Sequence, residues 1–513
     1  MSGHQLLDVA KEPRDESYKP FDDFVNRLEE GLAIRKEHAW GRTLWVYGHY
    51  FYTLLRGYFK FPSSLPGFVD ELHSLVSRAL EEAEIGHLGF GQVVDPPFIY
   101  VFRLEKVSDD IGRSYGHFHF IKVLLEDYKS YALNPLDFEP LFLDHRAFVE
   151  MYVSGKLEGF TKPGPVDVSV ERKSYGLSHD VEVYRVGSSY VVLYEPSLDI
   201  RDVAAFVFSE LEEVYHVNVM IGFPLDLSRS RSYLVILPKG AAELEPFGRA
   251  ERVGLAELRS YLRALVVERY RPIFRGLTEL PQRLKHVENT DRAREILSKT
   301  ELAVAWMDSV GLGNYFDYSE TKGLIQKLAG FLEKGEVDKT LLDYPFVIEE
   351  LKEKVNKAIY NCLVGLCSED DTKNLIEITM LKSDIFEELF INTFAKLYEK
   401  AKVEKNKLSL RFIQFIYKEN EELARKTFAL ILRKMTKSII PFSFKNYSDL
   451  IEGTFDKEEF VKTALLVDRR LAEEYEQERQ ELERELEEEC KKIRDAKMKE
   501  LEGTLLKRIF KGA

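Results

Sequence analysis

Apolar residues recur at three-and-four spacing through much of this chain, beginning with Phe21, Phe24, Val25 and Leu28 and again at Phe68, Leu72, Leu75, Val76 and Leu80. That period places each set on one side of a helix, so residues 21–84 read as helical with single buried faces. Between them "GRTLWVYGHYFYTLLRGYF" (41–59) is apolar on nearly every side and predicts a central helix enclosing His49, ended by Pro62 and Pro66. From about residue 164 the period shortens to two. Val166, Val168 and Val170 alternate, "VEVYRVGSSYVVLYEP" (181–196) predicts a hairpin turning at Gly187, and a helix over Asp199–Tyr215 is followed by the strands "VNVMIGF" (217–223) and "SYLVILP" (232–238). Together these form a ββαββ unit with an antiparallel sheet.

"LAELRSYLRALVVERYRPIF" (255–274) returns to helical spacing, and so do segments near 291–310, 320–334, 346–366, 371–400, 409–438 and 456–510. After residue 286 only Pro345 and Pro441 interrupt the helical spacing, which suits a multi-helix bundle without a regular repeat. The last helix is dense in carboxylates over "EEYEQERQELERELEEE" (473–489) and turns basic at "CKKIRDAKMKE" (490–500), a charge order that suits the helix macrodipole. Leu482, Leu486, Ile493 and Ala496 give it a thin apolar seam, broken at Arg479 and Glu489.

The expected class is α+β: a mainly helical region over 1–150, a small antiparallel α/β (ββαββ) unit over 151–285, a helical bundle over 286–455, and a long charged carboxy-terminal helix over 456–513. Composition sharpens the main boundary. All 11 histidines lie at or before His286, and Arg outnumbers Lys 22 to 12 up to that point but trails 11 to 28 after it. The change falls near "KHVENTDRARE" (285–295).

At 513 residues, 45% apolar and 12% aromatic, the chain has ample material for several cores. No secretory h-region and no run of about 18 apolar residues is visible, so a cytoplasmic protein without membrane partners is expected. Seven glutamines among abundant Glu, Lys and Arg give a thermophile-like balance. Cys362, Cys367 and Cys490 match no zinc spacing; in a helix Cys362 and Cys367 fall about 140° apart, so reduced thiols are expected. The net charge of −14 excludes a surface that is basic throughout, as a nucleic-acid coat requires.

Candidate chemistry is sparse. "RSYGHFHF" (113–120) holds His117 and His119, which share a face and could share a metal on a strand but diverge by about 200° on a helix. Phe118, Ile121, Leu125 and Tyr128 keep helical spacing, so the helix is expected and the metal reading is disfavoured; His145, His179 with Asp180, and His216 are the only further ligands, and no spacing selects them. "GHLGFGQ" (86–92) lacks the order of a dinucleotide loop and reads as a turn, and no P-loop, nucleophile elbow or kinase signature occurs. No enzyme class is positively indicated and no cofactor is expected.

Residues 396–438 depart from the acidic average, with twelve Lys or Arg against five Glu. Lys405, Lys407, Arg411, Arg433, Lys434, Lys437 and Lys445, near the aromatic residues Phe442, Phe444 and Tyr447, are the candidate nucleic-acid contacts, since cations hold phosphates while rings stack on bases. The leading functional reading is a non-catalytic subunit or scaffold of a larger assembly, with other proteins as partners through the carboxy-terminal helix. A nucleic-acid-binding subunit using helices 396–438 is second, and a metal-dependent enzyme centred on His117 and His119 third.

Overall fold

A computed structural model describes residues 18–36, 43–54, 58–61, 65–108, 112–167, 181–226, 233–240, 250–335, 338–381, 383–404, 407–435 and 444–510. The chain divides into two compact units, one of residues 1–284 with 294–336 and the other of residues 285–293 with 337–513.

The first unit is organised by one mixed sheet of strands β1 (Thr43–Leu54), β2 (Tyr58–Phe61), β3 (Leu88–Asp95), β4 (Phe98–Ser108), β5 (Ser114–Leu124), β6 (Gly164–Asp167), β7 (Val181–Val186), β8 (Ser189–Tyr194), β9 (Asn218–Ile221), β10 (Tyr233–Pro238) and β11 (Ala250–Val253). Their order is β11-β7-β8-β10-β9-β3-β4-β5-β1-β2, with β6 also paired to β1. Only β8–β10 and β10–β9 run parallel; the other ladders are antiparallel. The helices of this unit are α1 (Lys19–Lys36), α2 (Phe68–Glu82), α3 (Leu125–Ser130), α4 (His145–Val153), α5 (Leu157–Phe160), α6 (Ile200–Glu210), α7 (Leu255–Thr278), α8 (Leu280–Leu284), most of α9 (Thr290–Ser309) and α10 (Ser319–Lys334).

Register and strand alternation sort the side chains onto two faces. Tyr50, Tyr52, Phe98, Tyr100, Phe102, Phe118, Phe120 and Lys122 share one face, where Leu72, Leu75, Val76 and Leu80 of α2 close the core. His49, Phe51, Thr53, Arg103, Glu105, His117 and His119 share the other, covered by Phe148 of α4 and Leu157 of α5.

Several expectations are corrected by this sheet. The described residues of 41–59 are strand, β1 and β2, in place of the expected helix, and the described residues of 1–150 carry five strands rather than a mainly helical fold. The segment holding His117 and His119 is β5, with a helix starting only at Leu125. Both strands are apolar on both faces because both faces are covered, which erases the period-two signal and lets helical spacing arise by coincidence. "GHLGFGQ" is a turn only at Gly86, where φ is +85°; β3 begins at Leu88. The ββαββ elements exist, but β9 pairs with β3, so they extend the amino-terminal sheet, and parallel ladders replace two of the expected antiparallel ones.

The second unit is helical: α11 (Pro345–Leu363), α12 (Glu369–Leu381), α13 (Ser383–Glu404), α14 (Arg411–Glu419), α15 (Glu421–Met435), α16 (Phe444–Thr454), α17 (Lys457–Val467) and α18 (Arg469–Phe510). Phe394, Tyr398, Phe455 and Phe460 pack ring to ring in its core. The reduced-thiol expectation for Cys362 and Cys367 is also corrected. The helix ends at Leu363, Gly365 adopts a φ of +84°, and the turn brings Cys367 back into a disulfide with Cys362. No helix among the described residues is long and apolar enough to cross a membrane.

Candidate functional site

The histidines come together on the α4–α5 side of the sheet. His119 is fully buried, and its Nδ1 accepts the Leu143 backbone N–H at 2.8 Å. Its proton is therefore on Nε2, which donates to His49 Nδ1 at 3.0 Å. His117, 1% exposed, lies between the Phe51, Phe148 and His145 rings, with neither nitrogen hydrogen bonded. Burial is the largest influence on all of them. It lowers His49 to about 4 and holds His117 and His119 well below the usual imidazole range, helped by the neighbouring imidazoles and Arg103. Arg103 pairs with Glu105 at 3.2 Å, and Glu105 accepts the His145 backbone N–H at 3.0 Å.

His117 and His119 are sealed from solvent, whereas His49 and His145 are half-buried, and burial favours the neutral form of all four. Among the described residues no group of three His, Cys, Asp or Glu side chains is placed to hold a metal ion. His216 lies elsewhere in the same unit, beside Tyr270, and is lowered to about 3, mainly by burial. His179 and Asp180 are outside the described residues.

The opposite face of the sheet opens into a cleft of about 600 Å³. Arg27 of α1 enters it, held by two bonds to the Asp95 carboxylate at 3.0 and 2.8 Å. Tyr50, Tyr100 and Lys122 project from β1, β4 and β5, Asn218 from β9, and Gly67 with Phe68 from the start of α2. A register shift between Val46 and Gly48 precedes Tyr50 on β1, and the Tyr47 hydroxyl beside it donates to the Gly31 carbonyl of α1.

The basic segment is partly neutralised from within. Arg411 is bound to Glu459 at 3.1 Å, and the same carboxylate accepts the backbone N–H groups of Leu410 and Arg411. Lys426 pairs with Glu387 and Arg425 with Glu421. Lys407 is exposed, Arg433 is exposed and Lys434 half-exposed in the last turn of α15. Lys405 and Lys437 lie outside the described residues, and of Lys445 only its place in α16 is described.

The long helix α18 runs for 42 residues. Leu471 is buried, whereas Leu482, Leu486, Cys490, Ile493 and Leu501 are exposed. At 100° per residue these five fall within about 100° of one another, a stripe on a largely charged rod, with the exposed Met498 about 60° beyond its edge.

No protein-family model matches this chain, and no curated protein and no solved structure matches it either.

Sequence reasoning singled out the histidines, the basic helices and α18 but missed the cleft. Arg27, Tyr50, Asp95, Tyr100 and Lys122 are scattered over some hundred residues and become neighbours only through strand register. The one legible hint was Lys122, a cation inside an apolar run.

Proposed function

We propose that the protein is a non-catalytic subunit of a larger assembly, joined to its partner proteins through α18. The exposed stripe on α18 supports this reading. Leu482, Leu486 and Ile493 are each more than half exposed on one side of a helix that is otherwise solvated by charge. A helix polar all round needs no such seam, and burying it against a partner helix would release roughly 25 cal/mol per Å² of apolar area. The flanking charge adds direction: residues 473–489 carry ten Glu and two Arg, and the following stretch is rich in Lys. A partner helix of opposite charge order, or the same helix run antiparallel, satisfies both halves.

Replacing Leu482, Leu486 and Ile493 together by glutamate is expected to leave the melting temperature within about 2 °C, because the sites are exposed. The native chain is expected to associate with partner proteins in sedimentation velocity and in co-purification from its host, and the same variant to lose that association. Full retention of every partner by the triple variant counts against the reading.

The nucleic-acid alternative draws on Lys407, Arg433 and Lys434, which are exposed or half-exposed, although Lys407 also acts on Glu452. Reversing these three charges should abolish any nucleic-acid binding, and native binding should fall steeply with salt. Binding that is insensitive to salt removes this alternative.

A further inference from the structure

The cleft of the first unit holds groups whose bonding capacity the fold does not use. Lys122 is the central one. Its ammonium lies 3.9 Å from the centre of the Phe98 ring and makes no hydrogen bond or ion pair among the described residues. Asp95, the one carboxylate lining the cleft among those residues, is already committed to Arg27 by two bonds, and its backbone carbonyl accepts a third at 3.2 Å. Lys122 has therefore lost part of its hydration without gaining a hydrogen-bond acceptor, and burial, with the Arg27 charge, lowers its hold on the proton more than Glu30 and Asp95 raise it. Glu30 acts on Lys122 and on Tyr50 from outside the lining.

The surroundings favour an anionic oxygen and a flat group beside it. Tyr100 stands directly across the ladder from Lys122, and neither its hydroxyl nor that of Tyr50 is hydrogen bonded among the described residues. The rings of Tyr50 and Tyr100 meet edge to face at 5.8 Å, and those of Tyr100 and Phe68 at 4.9 Å, which makes an aromatic wall. Gly67 caps α2 without a side-chain acceptor, and the Val69 N–H of the first turn donates to the Pro66 carbonyl at 3.1 Å, so the positive end of a fifteen-residue helix lies at the rim. At about 600 Å³ the space lies in the range that holds small molecules.

The geometry points to a binding site for a small anion bearing a planar ring, its acidic group on Lys122 and its ring against Tyr50, Phe68 and Tyr100. A mononucleotide and an aromatic carboxylate share this chemistry. The site is independent of α18 and of the assembly reading, so either can fail alone.

Calorimetric titration of the full-length chain with a nucleoside monophosphate, the matching nucleoside, inorganic phosphate and an aromatic carboxylate tests it. Saturable binding of at least one ring-bearing anion is expected, about tenfold or more tighter than the nucleoside or phosphate alone, and whichever acid binds better identifies the class. Lys122→Gln is expected to weaken that binding about tenfold at an unchanged melting temperature, and Lys122→Arg to keep it within about threefold. Tyr100→Leu should weaken the ring-bearing probe while leaving inorganic phosphate unaffected. The inference is overturned if no probe saturates by about 10 mM, if phosphate alone binds as tightly as the nucleotide, or if Lys122→Gln binds as the native chain does.

Discussion

Acidification from pH 6.5 to about 4 is expected to strip stability from the first unit far more steeply than a typical surface-titrating protein would show. His49, His117, His119 and His216 are all lowered, chiefly by burial, with His49 at about 4 and His216 at about 3. Their unfolded counterparts titrate near 6.5. Above that value both states are neutral at these positions and the full stability is present. Below it the unfolded chain takes up protons that the native chain refuses, so stability falls as pH falls toward the native values. Each such group contributes a slope of about 1.4 kcal/mol per pH unit, and four acting together reach roughly 5 kcal/mol per unit. The groups that face them do not cancel this, since Arg103 lowers His117 and His119 further, while Lys129 and Arg269 lower His216. Denaturant midpoints measured every half pH unit between 7.5 and 4.5 test it. His117→Phe provides the internal control: its nitrogens have no partners, so the variant should match or exceed native stability at pH 7 and flatten the acid slope by about one quarter. An unchanged slope in that variant would show that His117 is not among the titrating groups.

Gly91→Ala is expected to cost the first unit about 3 kcal/mol or more, or to prevent its folding. A methyl group there would sit 2.3 Å from the Val219 carbonyl oxygen and 2.5 Å from the Phe102 ring. The ring could turn aside, but the carbonyl belongs to β9, which pairs with β3 at this very position. Relief requires the two strands to part. Gly164→Ala, with no atom within 4 Å of the added carbon and no positive φ, should be nearly neutral. Parallel thermal melts of the two variants decide the matter; equal melting temperatures would refute the steric argument.

Legibility in the sequence followed the degree of one-sidedness. The buried face of α1, the apolar ridge of α2, the inward set of α6 and the hairpin at Gly187 were all visible, because each element has a wet side to contrast with its dry one. So were the carboxy-terminal helices, although 409–438 divides at Asn420, whose side chain accepts the Leu423 N–H. β1 and β5 were misread because helices close over both sides of them. The candidate site fared worse for a related reason. Lys122 and Tyr100 are 22 positions apart along the chain yet directly opposite across a ladder, a relation that exists only once the register of β4 and β5 is known.

The position of β10 has a consequence for biosynthesis. β10 lies between β8 and β9, both of which precede it in the chain, and it pairs with each. On the ribosome the early strands can emerge and gather as two separate pieces, each with an unpaired edge where the missing neighbour belongs. Only when residue 238 clears the exit tunnel can these pieces be joined. Nascent chains halted before that point should be the ones that need chaperone protection, because two open edges are the state most exposed to pairing with another molecule.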